Sequence, residues 1–181
     1  MTAKELMLAG EWFDATDTAL QKERMRAEEL LFRFNNLHSS EEAERGAILN
    51  KLLGAMGENG VIRSPFYCDY GYNIRIGDNF FANFNCVMLD GAPITIGNNV
   101  LIAPNVSLFT ALHPLEVEPR NRWIEKALPI TIGNNVWIGG GVVINPGVTI
   151  GDDVVIGSGS VVTKDIPSGA VAYGNPCRIR K

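Results

Sequence analysis

His113 has the side chain best suited to accept a proton from a reacting group near neutral pH. An imidazole has an ordinary pKa close to neutrality, so its neutral form can take up a proton and release it again. A base that removes the proton of an attacking hydroxyl contributes about 10²–10⁴ to the rate. The chain of 181 residues has two histidines, and a lone loop histidine is more often a polar surface residue. A catalytic role for His113 therefore requires that the surrounding structure fix the position of its imidazole ring.

The setting of His113 favours such a role. A loop from about residue 110 to residue 129 interrupts an otherwise regular repeat, and His113 lies near its anchored start. Long loops on rigid scaffolds often carry function. The other histidine, His38, is expected at the end of a helix, where a positive charge is favourable. We therefore expect His113 to be the catalytic residue.

The cysteines indicate neither a disulfide framework nor a nucleophile. Cys68, Cys86 and Cys177 are scattered and odd in number, which fits a reducing cytoplasm. Cys86 has no histidine close to it in sequence, so we expect a small core residue. A zinc enzyme of the carbonic anhydrase type needs three imidazoles around one metal. Such a site could form only if several subunits pooled His113, so no metal is expected.

A six-residue period begins at about residue 61 and predicts the elements that must hold the loop. In the longest run the aliphatic positions are Ile132, Ile138, Ile144, Ile150, Ile156 and Val162. Two shorter runs with the same spacing are Ile96, Ile102 and Leu108, and Ile76, Ala82 and Met88. Glycine or asparagine usually follows, and both tolerate the positive φ of a tight corner.

This period fits neither a helix nor an alternating hairpin meander. It predicts a coil of short parallel strands in which every sixth side chain points inward. Three units would make one triangular turn, and successive turns would stack about 4.8 Å apart through strand hydrogen bonds. Each turn then buries its aliphatic residues against the next, which is the stability pattern of a solenoid.

The first part of the chain predicts helices instead. Thr2 with Glu5 and Ser39 with Glu42 have the spacing of capping boxes, and Asp17 can cap the helix between them. We therefore predict a helical segment over residues 1–58 and a β-helix over residues 59–181, with an extruded loop at about 110–129.

Composition and charge narrow the classes of function. The net charge of −4 argues against a protein that binds nucleic acid by neutralising phosphates. No apolar run approaches the length of a membrane span, and the first residues lack the apolar region of a secretory signal. With the cysteine pattern, these features predict a cytoplasmic protein.

Several stretches resemble the maltose and galactoside O-acetyltransferases, which are hexapeptide-repeat acyltransferases. The resemblance rests on "LAGEWFDA", "ERMRAEELLFRFN", "DYGYNIRIGDNFFANFN", "VLIAPNV", "PITIGNNVWIGGGVVINPGVTIGDDVVIGSGSVVTKDIP" and "GNPCRI". It implies a left-handed parallel β-helix, although the general rule for parallel crossovers favours the right hand. It also implies a homotrimer that transfers an acetyl group from acetyl-CoA to a sugar hydroxyl.

The resemblance places the family's catalytic histidine on His113, as the general base of a direct transfer. The acceptor-binding residues that it implies are Asn83, Asp69, Asp90 and Asp14. Turn chemistry is the alternative explanation for Asn83 and Asp69, since Asn and Asp favour corners. The family's early aspartate aligns with Ala15, so Asp14 is displaced. Gly91 stands where the galactoside type has a second acid, and the maltose-type pattern therefore fits better.

The donor site should lie along the late repeats. The positions that match contacts to coenzyme A are Gly140, Ser158, Thr163, Lys164, Arg178 and Lys181. Gly140 replaces a serine of the family but keeps a backbone N–H for the developing negative oxygen. Cations at the end of the chain suit phosphates. Trp137 is expected on the outer wall, in an interface, a cofactor wall or simple packing on the flat face.

Two questions stay open at the level of the sequence. A non-catalytic β-helix that acts as a binding or scaffolding module is the alternative function, since a fold does not guarantee activity. The acceptor is also undetermined, because maltose, glucose, galactosides, other oligosaccharides and non-sugar alcohols all fit. A maltose- or glucose-type acceptor agrees best with the resemblance.

Overall fold

The structure is a computed structural model that describes residues 1–180. Its helices are α1 (Ala3–Leu8), α2 (Thr18–Asn36), α3 (Glu42–Leu52) and α4 (Val117–Asn121). Its strands are β1 (Phe13–Asp14), β2 (Ala55–Met56), β3 (Val61–Ile62), β4 (Phe66–Cys68), β5 (Ile74–Ile76), β6 (Phe81–Ala82), β7 (Cys86–Leu89), β8 (Ile94–Ile96), β9 (Leu101–Ile102), β10 (Ser107–Phe109), β11 (Ala111–Leu112), β12 (Ile124–Ala127), β13 (Ile130–Ile132), β14 (Trp137–Ile138), β15 (Val143–Ile144), β16 (Thr149–Ile150), β17 (Val155–Ile156), β18 (Val161–Val162), β19 (Val171–Tyr173) and β20 (Arg178–Ile179).

The strands from β2 to β19, apart from β11 and β12, form a three-sided parallel β-helix. The first sheet has the order β16-β13-β8-β5-β2 and the second has the order β18-β15-β10-β7-β4. The third sheet is β19-β17-β14-β9-β6-β3, closed by antiparallel β20 at its edge. Each side of a coil thus pairs with the same side of the next coil. The mostly-β solenoid predicted from the six-residue period is confirmed.

The aliphatic positions of the repeat fill the centre of the coil. All six members of the run from Ile132 to Val162 are buried, with no more than 1% of each exposed. Strand register stacks equivalent positions on each other, as in the pairing of Ile132 with Ile96 and with Ile150. Every inward side chain therefore contacts its counterpart one coil away, and the core is continuous along the axis.

One corner of the coil is built from left-handed asparagines joined in a ladder. Asn79, Asn99 and Asn135 all have φ between 55° and 57°, a conformation that Asn adopts more readily than most residues. The side-chain amide of each donates to the next, at 3.0 Å in both steps, and Asn135 donates to Asp153 at 2.9 Å. Asparagine at this corner supplies both the backbone turn and a bond between coils.

The helices cover the first coil, and two of the three predicted caps are present. Thr2 and Glu5 form the capping box of α1, and Asp17 accepts from the first turn of α2. The predicted box of Ser39 and Glu42 is wrong, because α3 begins after Glu41 and has no side-chain cap. Glu41 instead accepts the backbone N–H of His38 at 2.7 Å, so the turn before α3 satisfies its own polar groups.

The insertions of the coil all leave from one corner, where the second sheet passes into the first. The inward-facing residues at this corner are eight positions apart rather than six in the first two coils, from Cys68 to Ile76 and from Met88 to Ile96. These two coils therefore have enlarged turns there. In the third coil the same corner extrudes the segment between β10 and β13, which contains β11, α4 and β12. Strand β12 pairs with both β11 and β1. The N-terminal arm, which is the segment 9–17 between α1 and α2, is thus bound to the insertion.

The β-helix begins within the segment that was predicted to be helical. Strand β2 already pairs with β5 in the first sheet, so the first coil starts before the predicted boundary at residues 58 and 59. The helical part is interrupted by β1, which the sequence did not indicate because two residues are too few to show alternation.

Candidate active site

A cavity of about 460 Å³ lies at the corner from which the insertion leaves. The N-terminal arm, the enlarged turns and the insertion all contribute to its wall. Its lining residues are Phe13, Ala15, Arg24, Asp69, Tyr70, Leu89, Gly91, Phe109, Ala111, His113, Trp123, Glu125 and Ala127. Aromatic surfaces thus surround a small number of polar groups, which is the usual make-up of a small-molecule site.

His113 follows β11 directly and is held by the neighbouring strand β12. Its Nδ1 lies 3.3 Å from the carbonyl oxygen of Ile124. A carbonyl only accepts hydrogen bonds, so Nδ1 carries the hydrogen and Nε2 keeps its lone pair. The side chain remains 43% exposed, so the ring is oriented by one contact and still open to the cavity. This arrangement leaves Nε2 as the proton acceptor.

Glu125 faces the free nitrogen of His113. One of its carboxylate oxygens lies 3.6 Å from Nε2, which is longer than a hydrogen bond but close enough for a strong electrostatic effect. Burial raises the pKa of this carboxyl, while His113 and Arg24 act in the opposite direction. A proton taken up by His113 would therefore be stabilised by the adjacent negative charge.

Asp69 brings a second carboxyl to the cavity. Burial, with repulsion from Asp90 and Glu125, raises the pKa of Asp69 to about 6. No cation lies within 4 Å of either Asp69 or Glu125 apart from His113, among the residues that the structure describes. The carboxyl oxygens of both residues are thus available to hydroxyl groups of a bound molecule.

Asp90 holds the turn that carries Asp69 rather than lining the cavity. Its side chain is completely buried and accepts from the backbone N–H groups of Asp69, Tyr70 and Asn73 at 3.1, 2.8 and 3.2 Å. Burial raises its pKa despite these hydrogen bonds. Asp90 therefore positions Asp69 and does not line the cavity, and its contact with the acceptor stays a prediction.

Arg24 and Tyr70 form a fixed wall on the side of the helices. The guanidinium of Arg24 donates to the Tyr70 hydroxyl and to the carbonyl of Ala15, both at 2.7 Å. Burial raises the pKa of Tyr70 to about 12, although Arg24 counteracts it. The tyrosine therefore stays protonated, and Arg24 links α2 to the N-terminal arm at the edge of the cavity.

Two further acceptor-binding predictions fall outside this cavity. The carboxylate of Asp14 accepts from the backbone and hydroxyl of Thr16 at 2.8 and 2.6 Å, and strand alternation turns Phe13 and Ala15 inward in its place. Asn83 accepts from the backbone N–H of Phe84 at 2.9 Å, which is turn chemistry. The structure therefore does not bring Asp14 or Asn83 together with His113 within one protomer.

The predicted donor residues that the structure describes lie on the last coils and do not line the cavity. Ser158 stacks one coil below Gly139, where an added Cβ would meet its backbone nitrogen at 2.6 Å. Gly140 has more room, since an added Cβ would come to 3.4 Å from the Pro104 carbonyl. Thr163, Lys164 and Arg178 are exposed, and Lys181 lies outside the described residues.

Other chemistry-bearing residues are accounted for by packing. Cys86 is fully buried, and burial raises the pKa of its thiol to about 11, so it is the predicted core residue and stays protonated. Within residues 1–180, no group of three His, Cys, Asp or Glu side chains is placed to hold a metal ion. No helix in the same range is both long enough and apolar enough to cross a bilayer.

Several residues of the site escaped the sequence analysis. The residue types of Glu125, Trp123 and Arg24 do not indicate a place in the site. Charged and aromatic residues are common in the insertion and in α2, where these three residues lie. The feature of the sequence that indicates the position of the site is the pair of eight-residue intervals in the six-residue repeat. They mark the corner at which Asp69 and Gly91 meet the insertion.

Two family models match the chain. The maltose acetyltransferase hexapeptide capping motif matches residues 6–57, which include most of the helical part and the first strand of the coil. The bacterial transferase hexapeptide model, with six repeats, matches residues 129–164, which form the fourth and fifth coils. The two models together thus cover both parts of the fold.

Known proteins are similar along the full length. The galactoside O-acetyltransferase of Escherichia coli (strain K12) is 49% identical over 99% of this chain and 88% of its own length. Nodulation protein L of Rhizobium meliloti (strain 1021) is also 49% identical, over 99% of this chain and 98% of its own.

Solved structures agree in shape as well. A maltose O-acetyltransferase from Clostridium difficile 630 is 52% identical with a TM-score of 0.94, over 100% of this chain and 97% of that one. A galactoside acetyltransferase in complex with coenzyme A is 49% identical with a TM-score of 0.96, over 100% of this chain and 90% of that one.

Proposed function

The chain belongs to the maltose and galactoside O-acetyltransferase family of hexapeptide-repeat proteins, and from this premise we propose that it acetylates a sugar hydroxyl with acetyl-CoA as donor and His113 as general base. The observation that carries the proposal is the orientation of His113. Its Nδ1 is engaged by the Ile124 carbonyl, and its Nε2 faces a cavity whose carboxyl groups can accept from a polyol.

The transfer needs one proton carrier. The acceptor hydroxyl oxygen attacks the thioester carbonyl carbon while Nε2 of His113 takes the hydroxyl proton. The tetrahedral intermediate then collapses with cleavage of the carbon–sulfur bond, and the imidazolium returns the proton to the leaving thiolate. The products are an O-acetyl ester and free coenzyme A, with no acyl-enzyme, which agrees with the protonated and buried thiol of Cys86.

Glu125 supports this proton transfer. The imidazolium formed at His113 carries a positive charge 3.6 Å from the carboxylate of Glu125. Because the site is partly buried, the attraction is stronger than it would be in bulk water. Glu125 thus lowers the energy of the charged intermediate, in which the acceptor oxygen is already bonded to the acetyl carbon.

A sugar fits the remaining groups of the cavity. Asp69 and Glu125 offer carboxyl oxygens to hydroxyl donors, and Phe109 and Leu89 offer apolar surface to ring C–H groups. Gly91 lines the same cavity without a side chain, and a Cβ added there would come to 3.2 Å from the Cβ of Ala127. We assign a maltose- or glucose-type acceptor, in keeping with the maltose-type pattern of the sequence.

The proposed function also requires a binding site for coenzyme A and an assembly that brings this site close to His113. We place coenzyme A along Gly140, Ser158, Thr163 and Lys164, with Arg178 and Lys181 near its phosphates. Ser158, Thr163 and Lys164 are exposed on the late coils, whereas His113 lies on the third-coil corner. We therefore propose a cyclic homotrimer that brings the donor groove of one protomer beside the cavity of another. The free cysteines suit a cytoplasmic location.

An acceptor panel tests the proposal directly. The purified protein is incubated with acetyl-CoA and with glucose, maltose, a galactoside or a non-sugar alcohol, and free thiol is followed over time. We expect acceptor-dependent thiol release that is fastest with the glucose-type sugars. If no sugar raises thiol release above the hydrolysis measured without acceptor, the proposed function is wrong, and the non-catalytic alternative gains support if calorimetry also detects no binding of acetyl-CoA.

A further inference from the structure

Trp123 has a backbone conformation that its side chain does not favour. Its φ is 57°, in the left-handed region that suits glycine and, among other residues, Asn and Asp. Seven other non-glycine residues in the range 1–180 have positive φ, and all seven are Asn or Asp. Trp123 is therefore the exception, and the backbone alone gives no reason for a tryptophan at this position.

The backbone of Trp123 is nevertheless fixed firmly. Its N–H donates to the Arg120 carbonyl at 3.1 Å, and its own carbonyl accepts from the N–H of Ala15 at 3.0 Å. The next residue, Ile124, supplies the carbonyl that orients His113. The position of the indole is thus tied to the same short segment that positions the catalytic ring.

The indole itself packs little against its own protomer. Trp123 is 61% exposed and lines the cavity together with His113 and Glu125. Asp69 and Glu125, which carry the two carboxyl groups of the cavity, are less exposed than Trp123. The cavity therefore has a polar interior, where a reacting sugar ring would be held through its hydroxyls, and an exposed aromatic surface at its rim.

We propose that Trp123 forms an outer subsite that stacks on the second ring of a disaccharide acceptor. This inference rests on the proposed function, because it assumes that the ring to be acetylated occupies the interior. A pyranose presents a face of C–H groups that packs on an aromatic ring, and the indole N–H can also donate to a hydroxyl. A monosaccharide held inside would not reach this surface, whereas a disaccharide would extend over it.

Replacement of Trp123 by Asn separates the ring from the backbone. Asn occupies six of the seven other positive-φ positions that are not glycine within residues 1–180, so Trp123→Asn removes the indole and keeps the turn. Trp12→Ala is the matched control. Trp12 lies in the N-terminal arm and, like Trp123, is exposed, but it does not line the cavity. Glucose and maltose are the two probes, titrated by calorimetry in the presence of coenzyme A and assayed for turnover with acetyl-CoA.

We expect Trp123→Asn to weaken maltose binding and to lower kcat/KM for maltose by about 10-fold, with less than a twofold change for glucose. Trp12→Ala should change neither the binding of the two sugars nor kcat/KM for either of them. Equal losses for both sugars, no loss for maltose, or a change of oligomeric state in Trp123→Asn would each overturn the subsite. Binding is measured apart from turnover, so a parent protein that binds maltose through Trp123 but acetylates neither sugar would contradict the proposed function and leave the subsite standing. A parent that binds glucose and maltose equally well, or binds neither, would contradict the subsite itself.

Discussion

His113 is oriented by a carbonyl that comes from a different strand. The sequence predicts the importance of this histidine, since it lies where a regular repeat stops. It does not predict the partner, because every residue has a carbonyl and Ile124 is 11 residues away. The pairing of β11 with β12 creates the contact. Asp14 and Asn83 stay predictions for a related reason, since the sequence gives the position of a residue along the chain but not the direction of its side chain or its neighbours in another protomer.

Glu125→Gln should lower kcat by about 10-fold with little change in KM. The substitution keeps the size of the side chain and removes the negative charge 3.6 Å from His113 Nε2, so the imidazolium loses its electrostatic partner. Steady-state kinetics with the best acceptor would measure the effect. A variant with parental kcat, or with a loss confined to KM, would show that Glu125 only binds sugar.

Asp69→Asn should stabilise the protein near neutral pH. The pKa of Asp69 is about 6 in the fold against an ordinary value of 3.8, so this carboxyl ionises at a lower pH in the unfolded chain than in the folded protein. The ionised form is thus disfavoured by folding, and the resulting loss of stability is absent below about pH 4 and complete above about pH 6. At pH 7.5 we expect a gain of roughly 1–3 kcal/mol in the free energy of unfolding for Asp69→Asn.

Urea denaturation of parent and Asp69→Asn at pH 4 and pH 7.5 would measure this difference. The gain should shrink towards pH 4 and be accompanied by weaker acceptor binding, because the carboxyl is lost from the cavity. A gain of the same size at both pH values would indicate packing rather than ionisation.

The asparagine ladder is the element that fixes one corner of the coil. The repeat itself could be predicted from the sequence, because a six-residue period with Gly or Asn at the turn has few other structural solutions. The hydrogen bonds along the ladder could not, since they depend on register between coils. They link Asn79, Asn99 and Asn135 at 3.0 Å per step.

Asn99→Ala should lower the free energy of unfolding by about 1–3 kcal/mol. It removes two side-chain hydrogen bonds and leaves a Cβ at φ 57°, where alanine is disfavoured by about 1–2 kcal/mol. Asn99→Gly is the control, since it removes the same bonds without the backbone conflict and should cost less. Chemical denaturation at fixed protein concentration would compare them. Equal stability of all three proteins would show that the ladder contributes nothing.

The insertion and the N-terminal arm behave as one element around the site. Strand β1 pairs with β12, and Arg24 of α2 bonds to the carbonyl of Ala15. The sequence predicted helices and a loop separately but gave no sign of their contact, because β1 has only two residues. The two enlarged turns at residues 69–73 and 90–93 indicate the corner of the site in the sequence, because they lengthen the six-residue interval to eight.

At the scale of the whole molecule, one face of the β-helix is apolar. Strand register aligns the outward side chains of the third sheet as a stripe: Val61, Phe81, Leu101, Trp137, Val155 and Val171. Leu101 and Trp137 are 51% and 55% exposed. The first sheet presents mainly threonines outward, such as Thr131. The predicted exposure of Trp137 is confirmed, and the stripe gives a protomer surface of the kind that oligomers bury.

Leu101→Glu should break the proposed trimer. A charge in the middle of the apolar stripe cannot be buried without a partner, so light scattering should show monomers while circular dichroism shows an intact fold. Acetyl transfer should fall by at least 10-fold, because the site is proposed to need two protomers. Thr131→Glu, on the polar first sheet, is the matched control and should remain trimeric. A trimeric and active Leu101→Glu protein would show that the stripe is not the interface.

His113→Ala tests whether the imidazole of His113 removes the proton of the acceptor hydroxyl. Affinity for coenzyme A by calorimetry and kcat with the best acceptor are measured on the same preparations of parent and variant. We expect unchanged affinity for coenzyme A and a fall in kcat of about 10²–10⁴. If His113→Ala acetylates the sugar at the parental rate, another group removes the proton and the assignment is wrong.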